Sequence, residues 1–257
     1  MKMAEFEKEY LVHVYETNAN GKLTLPGLFN YLQDTASDHA EKLNFGRDDL
    51  LKNNHIWVLS RMYAVIDNLP DWNDKLTVKT WPSGIDKILA LRDFEITKVN
   101  NTHIGSATSS WAIIDRTTKR VQRPDDIIAN FSLSFNNERS LKRNASRLDS
   151  VSKDGSISPA YKVKYSDLDV NLHVNNVKFL QWVTDSYPFD FVMSNSPISV
   201  EINYLAESMC DDEINILTTT DQVFGKIHNH SITRVNDNRE LCRIRIEWDP
   251  CIKNKVY

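Results

Sequence analysis

An acid, an amide and an imidazole recur at alternate positions in Asp169-Val170-Asn171-Leu172-His173. In an extended chain these three side chains share one face at roughly 6.5 Å steps, with Val170 and Leu172 on the other. Asn175 and Asn176 follow as N-caps for a segment whose Phe179, Leu180, Trp182 and Val183 leave little polar face, which predicts a buried helix over 174–186. The free N–H groups at the start of such a helix suit an anion or a developing oxyanion beside the trio. The competing reading is an Asx-rich turn that only caps a core helix; the histidine in register and the apolar helix behind it favour a reactive centre. Ser166 and Ser208 lack the Gly-x-Ser-x-Gly elbow of many serine hydrolases. His228-x-His230 offers a metal at most two ligands from one strand face, and the remaining histidines have no paired ligand spacing. Neither a metal nor an organic cofactor is expected.

The elements that must position the trio occur twice. In the first half, residues 8–16 have strand composition, Asn18 to Gly21 form a turn, and Thr24 with Pro26 starts a helix over about 25–42 carrying Leu28, Phe29, Leu32 and Ala36 at helical spacing. Strands are predicted over 56–66, 75–81, 88–99 and 104–115, with Pro82-Ser-Gly as a turn. The second half repeats the order: a strand over 161–165, the helix, then strands over 198–204, 213–220, 225–235 and 240–249. Asn18-Ala-Asn20-Gly-Lys22 falls on Asp169-Val-Asn171-Leu-His173, and Asp74-Lys-Leu-Thr-Val on Asp212-Glu-Ile-Asn-Ile, which argues for an internal duplication. The first copy has Asn18 and Lys22 where the second has Asp169 and His173, so one repeat is expected to be catalytic and the other to hold substrate.

The 257 residues and 41% hydrophobic content support a large core, and a net charge of −4 with pI near 6.0 gives no global pull toward nucleic acid or anionic membrane. Cys210, Cys242 and Cys251 are odd in number and lack Cys-x-x-Cys spacing, so a disulfide framework or thiolate zinc site is not indicated and a reducing compartment is expected. No stretch has the length and apolarity of a membrane span, and the N-terminal residues have no apolar export signal. Residues 116–147 carry eight basic against three acidic side chains. They read as a solvated linker, or as a docking surface for an acidic partner formed by Arg116, Lys119, Arg120, Arg123, Lys142 and Arg143.

Asp169-x-Asn171-x-His173-Val-Asn-Asn, together with Trp57-Val-Leu-Ser-Arg61-Met, Pro70-Asp-Trp72-Asn-Asp, Lys87 through Phe94 and Arg116-Thr-Thr-Lys-Arg120, closely resembles the acyl-acyl carrier protein (acyl-ACP) thioesterases of plant plastids and bacteria. The resemblance implies an α+β tandem (double) hot-dog fold, two antiparallel sheets each wrapped around a long central helix. The expected division is an acyl-binding repeat over 1–130, a linker over 131–157 and a catalytic repeat over 158–257. The implied reaction is hydrolysis of a fatty acyl thioester on acyl carrier protein, the carrier bearing its acyl group on phosphopantetheine, in a bacterial cytoplasm. A hot-dog acyl-CoA thioesterase and a non-catalytic acyl-ACP or fatty-acid binding module are the alternatives. Two hot-dog units in one chain fit a monomer, and a homodimer equally.

By the same resemblance Asp169, Asn171 and His173 fall on the family's catalytic residues, and Glu207 falls on its further acid. Ser208 replaces the family's usual cysteine, which counts against a cysteine-nucleophile scheme and leaves Ser208 as an accessory. Either Glu207, made more basic by a partly apolar site, or Asp169 serves as base or nucleophile; Asn171 holds the water or carbonyl oxygen, and His173 polarises the carbonyl or protonates the leaving thiolate. Ala90 and Arg92 lie in a stretch that by resemblance borders the acyl-chain pocket, where Trp57, Trp81 and Trp111 are further candidates. Each of these tryptophans fits plain core as well.

Overall fold

The structure is a computed structural model that describes residues 5–128, 135–152, 154–221 and 225–250; Cys251 lies outside the described residues. The chain divides into two compact units, residues 1–145 and 146–257.

In the first unit, β1 (Phe6–Leu11), β2 (His55–Ile66), β3 (Lys75–Asp86), β4 (Leu89–Lys98) and β5 (His103–Asp115) form an antiparallel sheet in the order β1-β3-β4-β5-β2, with the short β6 (Val121–Gln122) on β5. Helix α1 (Leu25–Lys42) lies against β3 and β1. It starts where the sequence predicts: Thr24 is extended, its hydroxyl accepts the Gly27 N–H at 3.1 Å, and Pro26 needs no intrahelical donor. Leu28, Phe29 and Leu32 repeat at helical spacing and are at most 1% exposed, as are Leu76, Val78, Phe94 and Ile96 on the facing strands. Burying each such side chain contributes about 1.5–3 kcal/mol, so the apolar stripe holds α1 in place. Two short helices, α2 (Arg47–Lys52) and α3 (Pro124–Ile128), complete the unit.

In the second unit, β7 (Ser156–Ile157), β8 (Tyr161–Lys162), β9 (Asn195–Tyr204), β10 (Glu213–Thr220), β11 (Ile227–Arg234) and β12 (Glu240–Pro250) make a sheet of order β9-β12-β11-β10-β7, with β8 pairing β10. Its helix α4 (Asn176–Asp185) buries Val177, Phe179, Leu180, Trp182 and Val183, and is followed by the short α5 (Phe189–Ser194). Val200, Ile202, Ile214, Ile232, Ile244 and Ile246 are fully buried. At 10 residues α4 spans about 15 Å against about 27 Å for the 18 residues of α1, so only the first unit has a long helix.

Three expectations are corrected. Residues 13–16 leave the strand for a 3₁₀ turn, Val14–Glu16, because the Glu16 carboxylate accepts the His13 N–H at 2.9 Å. Pro82-Ser-Gly does not end β3: it is a bulge, with the register shifting between Pro82 and Gly84 and Gly84 at φ +136°. The expected linker 131–157, where described, is not a separate segment: the unit boundary falls within it, after Ala145, and each side is tied into its own unit. Arg139 Nε donates to the fully buried Asp93 carboxylate at 2.8 Å, and Trp81 Nε1 donates to Glu138 O at 2.8 Å. The Ser146 N–H and hydroxyl donate to Glu201 at 2.6 and 2.8 Å, and the Leu148 N–H donates to Asn203 at 2.8 Å.

Candidate active site

Residues 169–173 are a turn, not a strand. Leu168 and Val174 pair as an isolated bridge, the Asp169 N–H donates to His173 O at 2.7 Å, and Leu172 sits at φ +65°. One carboxylate oxygen of Asp169 accepts the backbone N–H groups of Asn171 (2.8 Å) and His173 (3.2 Å), while the other accepts Asn171 Nδ2 at 3.3 Å. An Asx side chain that captures N–H groups two and four residues on closes the chain on itself, which defeats the extended alternation.

The first unit contains the same turn built from different side chains. Thr17 bridges Leu23, Asn18 Oδ1 accepts the N–H groups of Asn20 (2.9 Å) and Lys22 (3.1 Å), and Gly21 takes φ +73°. Leu23 N–H is tied to Pro70 O at 2.8 Å as Val174 N–H is to Ser208 O at 2.8 Å. Each turn is preceded by a 3₁₀ turn, Val14–Glu16 or Tyr165–Asp167, whose last residue is an acid that accepts a backbone N–H and a tyrosine hydroxyl. The internal duplication therefore extends to individual hydrogen bonds. Lys22, at the His173 position, is ion-paired with Asp71 at 2.8 Å, whereas His173 Nε2 faces Glu207 Oε2 at 3.6 Å.

Val174, tied to Ser208, is what brings Glu207 beside His173. Glu207 lies on the loop that leaves β9 after Leu205 and Ala206 both donate to Leu241 O. Its side chain is 59% exposed, so the expected partly apolar surrounding is not found; that of His173 is 31% exposed. Asn175 caps α4 by accepting the Val177 N–H at 3.0 Å. Ser208 is buried and turned away: its hydroxyl donates to Asp212 at 2.9 Å. Burial alone raises the Asp212 pKa, but donors from Met209 N–H, Ser208 and Arg234 hold it below the ordinary carboxylate value. Asp167, not singled out by the sequence reading, is 4% exposed and anchors the turn through Lys164 N–H and Tyr161. The signal was its alignment with Glu16, which binds the His13 N–H and Tyr31 in the same way.

Trp57, Ala90, Arg92 and Trp111 are brought together on one face of the first sheet. Ala90 pairs with Trp111 and Arg92 with Ser109 across β4 and β5, and Trp57 meets Trp111 edge-on at 6.4 Å. Ala90 belongs to a packed cluster with Leu43, Phe45, Leu50, Ile113 and Ile128, against which Trp57 lies. Arg92 is directed at α1, donating to Thr80 Oγ1 at 3.2 Å and lying 3.0 Å from His39 Nδ1; desolvation lowers its pKa to about 10. Trp81, paired with Asp93, faces the opposite side. Of the basic residues, Arg116, Lys119, Arg120 and Arg123 stay together and exposed around the β5–β6 turn. Lys142 and Arg143 do not join them. The Arg143 guanidinium lies 3.7 Å over the ring of Tyr63, which pairs with Thr108, seven residues or about 20 Å of strand from Asp115.

The repeated unit, a sheet against a helix with a polar turn at the helix start, is the tandem hot-dog arrangement, and comparison with known proteins agrees. A crystal structure of an acyl-ACP thioesterase from Bacteroides thetaiotaomicron superposes with a TM-score of 0.84 at 25% identity, covering 96% of this chain and 98% of that one. The 12:0-ACP thioesterase from Umbellularia californica superposes with a TM-score of 0.86 at 23% identity, covering 97% and 99%, which supports the fold alone. Residues 3–131 match the acyl-ACP thioesterase N-terminal domain and residues 150–250 the C-terminal domain, so the chain belongs to the acyl-ACP thioesterase family. Among sequence relatives, the chloroplastic palmitoyl-acyl carrier protein thioesterase of Gossypium hirsutum is 30% identical over 268 residues, and the aligned region covers 95% of this chain but 64% of that protein.

Proposed function

We propose that the chain hydrolyses fatty acyl thioesters on acyl carrier protein to free fatty acid and holo-carrier. The observation that carries this reading is the His173–Glu207 pair at 3.6 Å, on a turn whose counterpart in the sister repeat instead carries the Lys22–Asp71 ion pair. In this scheme Glu207 takes a proton from a water whose oxygen attacks the thioester carbonyl carbon. The tetrahedral oxyanion then collapses, the carbon–sulfur bond breaks, and protonated His173 gives its proton to the departing thiolate. Proton return from Glu207 to His173 restores both. Asp169 holds the turn, and Asn171 at its exposed tip orients the water or carbonyl oxygen. The face carrying Trp57, Ala90, Arg92 and Trp111 takes the acyl chain, and the Arg116, Lys119, Arg120 and Arg123 cluster is the acidic carrier's docking surface. Exposed Cys210 and buried Cys242 are unbridged, which supports a reducing cytoplasm as the site of action.

The test is thiol release from matched acyl-ACP and acyl-CoA substrates from C8 to C18 at two salt concentrations. Faster release from acyl-ACP that weakens with salt is expected. Equal rates would make the protein a general acyl-thioester hydrolase, and binding without release would make it a binding module.

A further inference from the structure

The duplication supplies an internal control for every residue near the site. Offsets of 151 before the helix and 138 after it place His173 on Lys22, Phe179 on Leu28, Ser208 on Pro70, Glu207 on Leu69 and Tyr204 on Ile66. Leu28 and Ile66 are ordinary core, 1% and 3% exposed. In the second unit the same two core positions hold Phe179 and Tyr204, ring centroids 6.2 Å apart and edge to face. A phenol hydroxyl has thus entered a position that its sister repeat fills with hydrocarbon, and it has done so only in the repeat that carries His173 and Glu207.

That hydroxyl is not used by the fold. Tyr204 ends β9 opposite Cys242, on the face shared with the fully buried Val200 and Ile202. No hydrogen-bond partner meets its oxygen among the described residues, although Tyr161, Tyr187 and Tyr31 each have one. The oxygen is also not sealed in like the orphaned ring nitrogen of His228, so a small group reaches it. A hydroxyl that the fold leaves unused, in a position that isoleucine fills in the sister repeat, is free to meet a ligand. The neighbouring segments place it beside the candidate site. The chain from His173 into α4 and the chain from Tyr204 to Ser208 run side by side, linked by His173–Glu207, by Val174 N–H to Ser208 O, and by Phe179–Tyr204.

We propose that Tyr204 is a further catalytic residue, whose hydroxyl donates a hydrogen bond to the carbonyl oxygen of the bound acyl thioester and strengthens it as that oxygen becomes an oxyanion. No proton is transferred: desolvation pushes the phenol well above its ordinary value, so it stays a donor throughout. The inference rests on the thioesterase reading above, and it assigns a part of the site, oxyanion stabilisation, that neither Glu207 nor His173 performs in that scheme.

The experiment compares wild-type, Tyr204→Phe and His173→Ala full-length chains by thiol release from acyl-ACP and by thermal unfolding. Tyr204→Phe should lower kcat about 100-fold with KM unchanged and leave the unfolding midpoint unchanged or raised, since it deletes an unpartnered hydroxyl. A wild-type kcat in Tyr204→Phe alongside an inactive His173→Ala would overturn the tyrosine role and leave the thioesterase reading standing. Loss of activity that tracks a lowered midpoint would make Tyr204 structural and overturn the role equally. Full activity in His173→Ala would sink the underlying site.

Discussion

Mild acid should destabilise this protein through His230, and the size of the effect follows from its surroundings. His230 is fully buried on β11; its Nε2 lies 2.8 Å from the Tyr187 hydroxyl and its Nδ1 2.9 Å from Thr218 Oγ1. The rings of Tyr187 and His228 lie against it, and Trp248 and Phe191 pack in turn on Tyr187. Desolvation, with a smaller contribution from His228, lowers its pKa from 6.5 to about 3. The fold therefore selects the neutral ring. That contribution is complete above pH 6.5 and is lost as pH falls from 6.5 toward 3, because only the unfolded chain then takes up the proton. Linkage over this interval gives a loss of about 2 kcal/mol at pH 5 and about 3 kcal/mol at pH 4. His228, also lowered mainly by burial, acts in the same direction. Urea unfolding followed by tryptophan fluorescence at pH 7.5, 6, 5 and 4 gives the dependence, and His230→Gln separates its share. The variant should be less stable at pH 7.5 but show a pH dependence flatter by about 2 kcal/mol between pH 7.5 and 5. Parallel curves for the two proteins would refute the reasoning.

Three further outcomes concern the turn and its supports. Asp169→Asn should keep the unfolding midpoint close to wild type, because Asn18 accepts the same two N–H groups in the sister turn, whereas Asp169→Ala should lose about 1–2 kcal/mol by chemical denaturation. Ser208→Ala should retain turnover and lose about 1 kcal/mol of stability, since its hydroxyl serves Asp212; abolished turnover would make it a participant in the chemistry. Asp93→Ala should cost about 3–5 kcal/mol, because it strands Arg139 together with the donors Ser83, Thr108 and Ser140 N–H at a fully buried position, and a loss under 1 kcal/mol would contradict that account.

The sequence made the two helices and most strands legible because their apolar residues keep one period over many positions, and Thr24 marks a helix start through a hydrogen bond that the structure contains. The helices α2, α3 and α5 were not legible, since five or six residues are too few for a period to emerge. The turn at the candidate site was misleading for a different reason. Polar residues at 169, 171 and 173 imitate strand alternation, and what cancels it is a side chain competing for the backbone. The corrective was present elsewhere in the chain: Asn18 to Gly21, with its glycine, reads as a turn and aligns with Asp169 to Leu172. Leu172 hides the same geometry because leucine rarely takes positive φ, a strain of roughly 1–2 kcal/mol that the sister repeat avoids. Arg139 looked solvated because its partner, Asp93, lies 46 residues away on β4, a separation that no local spacing reveals. Proximity of Glu207 to His173 rests on the pairing of Val174 N–H with Ser208 O, a long-range contact that residue spacing alone does not reveal.

The proposed hydrolysis of acyl-ACP stands on the His173–Glu207 pair. Its most direct test is single-turnover thiol release from acyl-ACP by wild-type, His173→Ala and Glu207→Gln chains, each first shown to be folded by thermal unfolding. Both partners are at least 31% exposed, so neither substitution should disturb the core. The account predicts release by the wild type and a fall of at least about 1000-fold in each variant, as removal of a general acid or base in an acting pair produces. Wild-type release from either folded variant would contradict it.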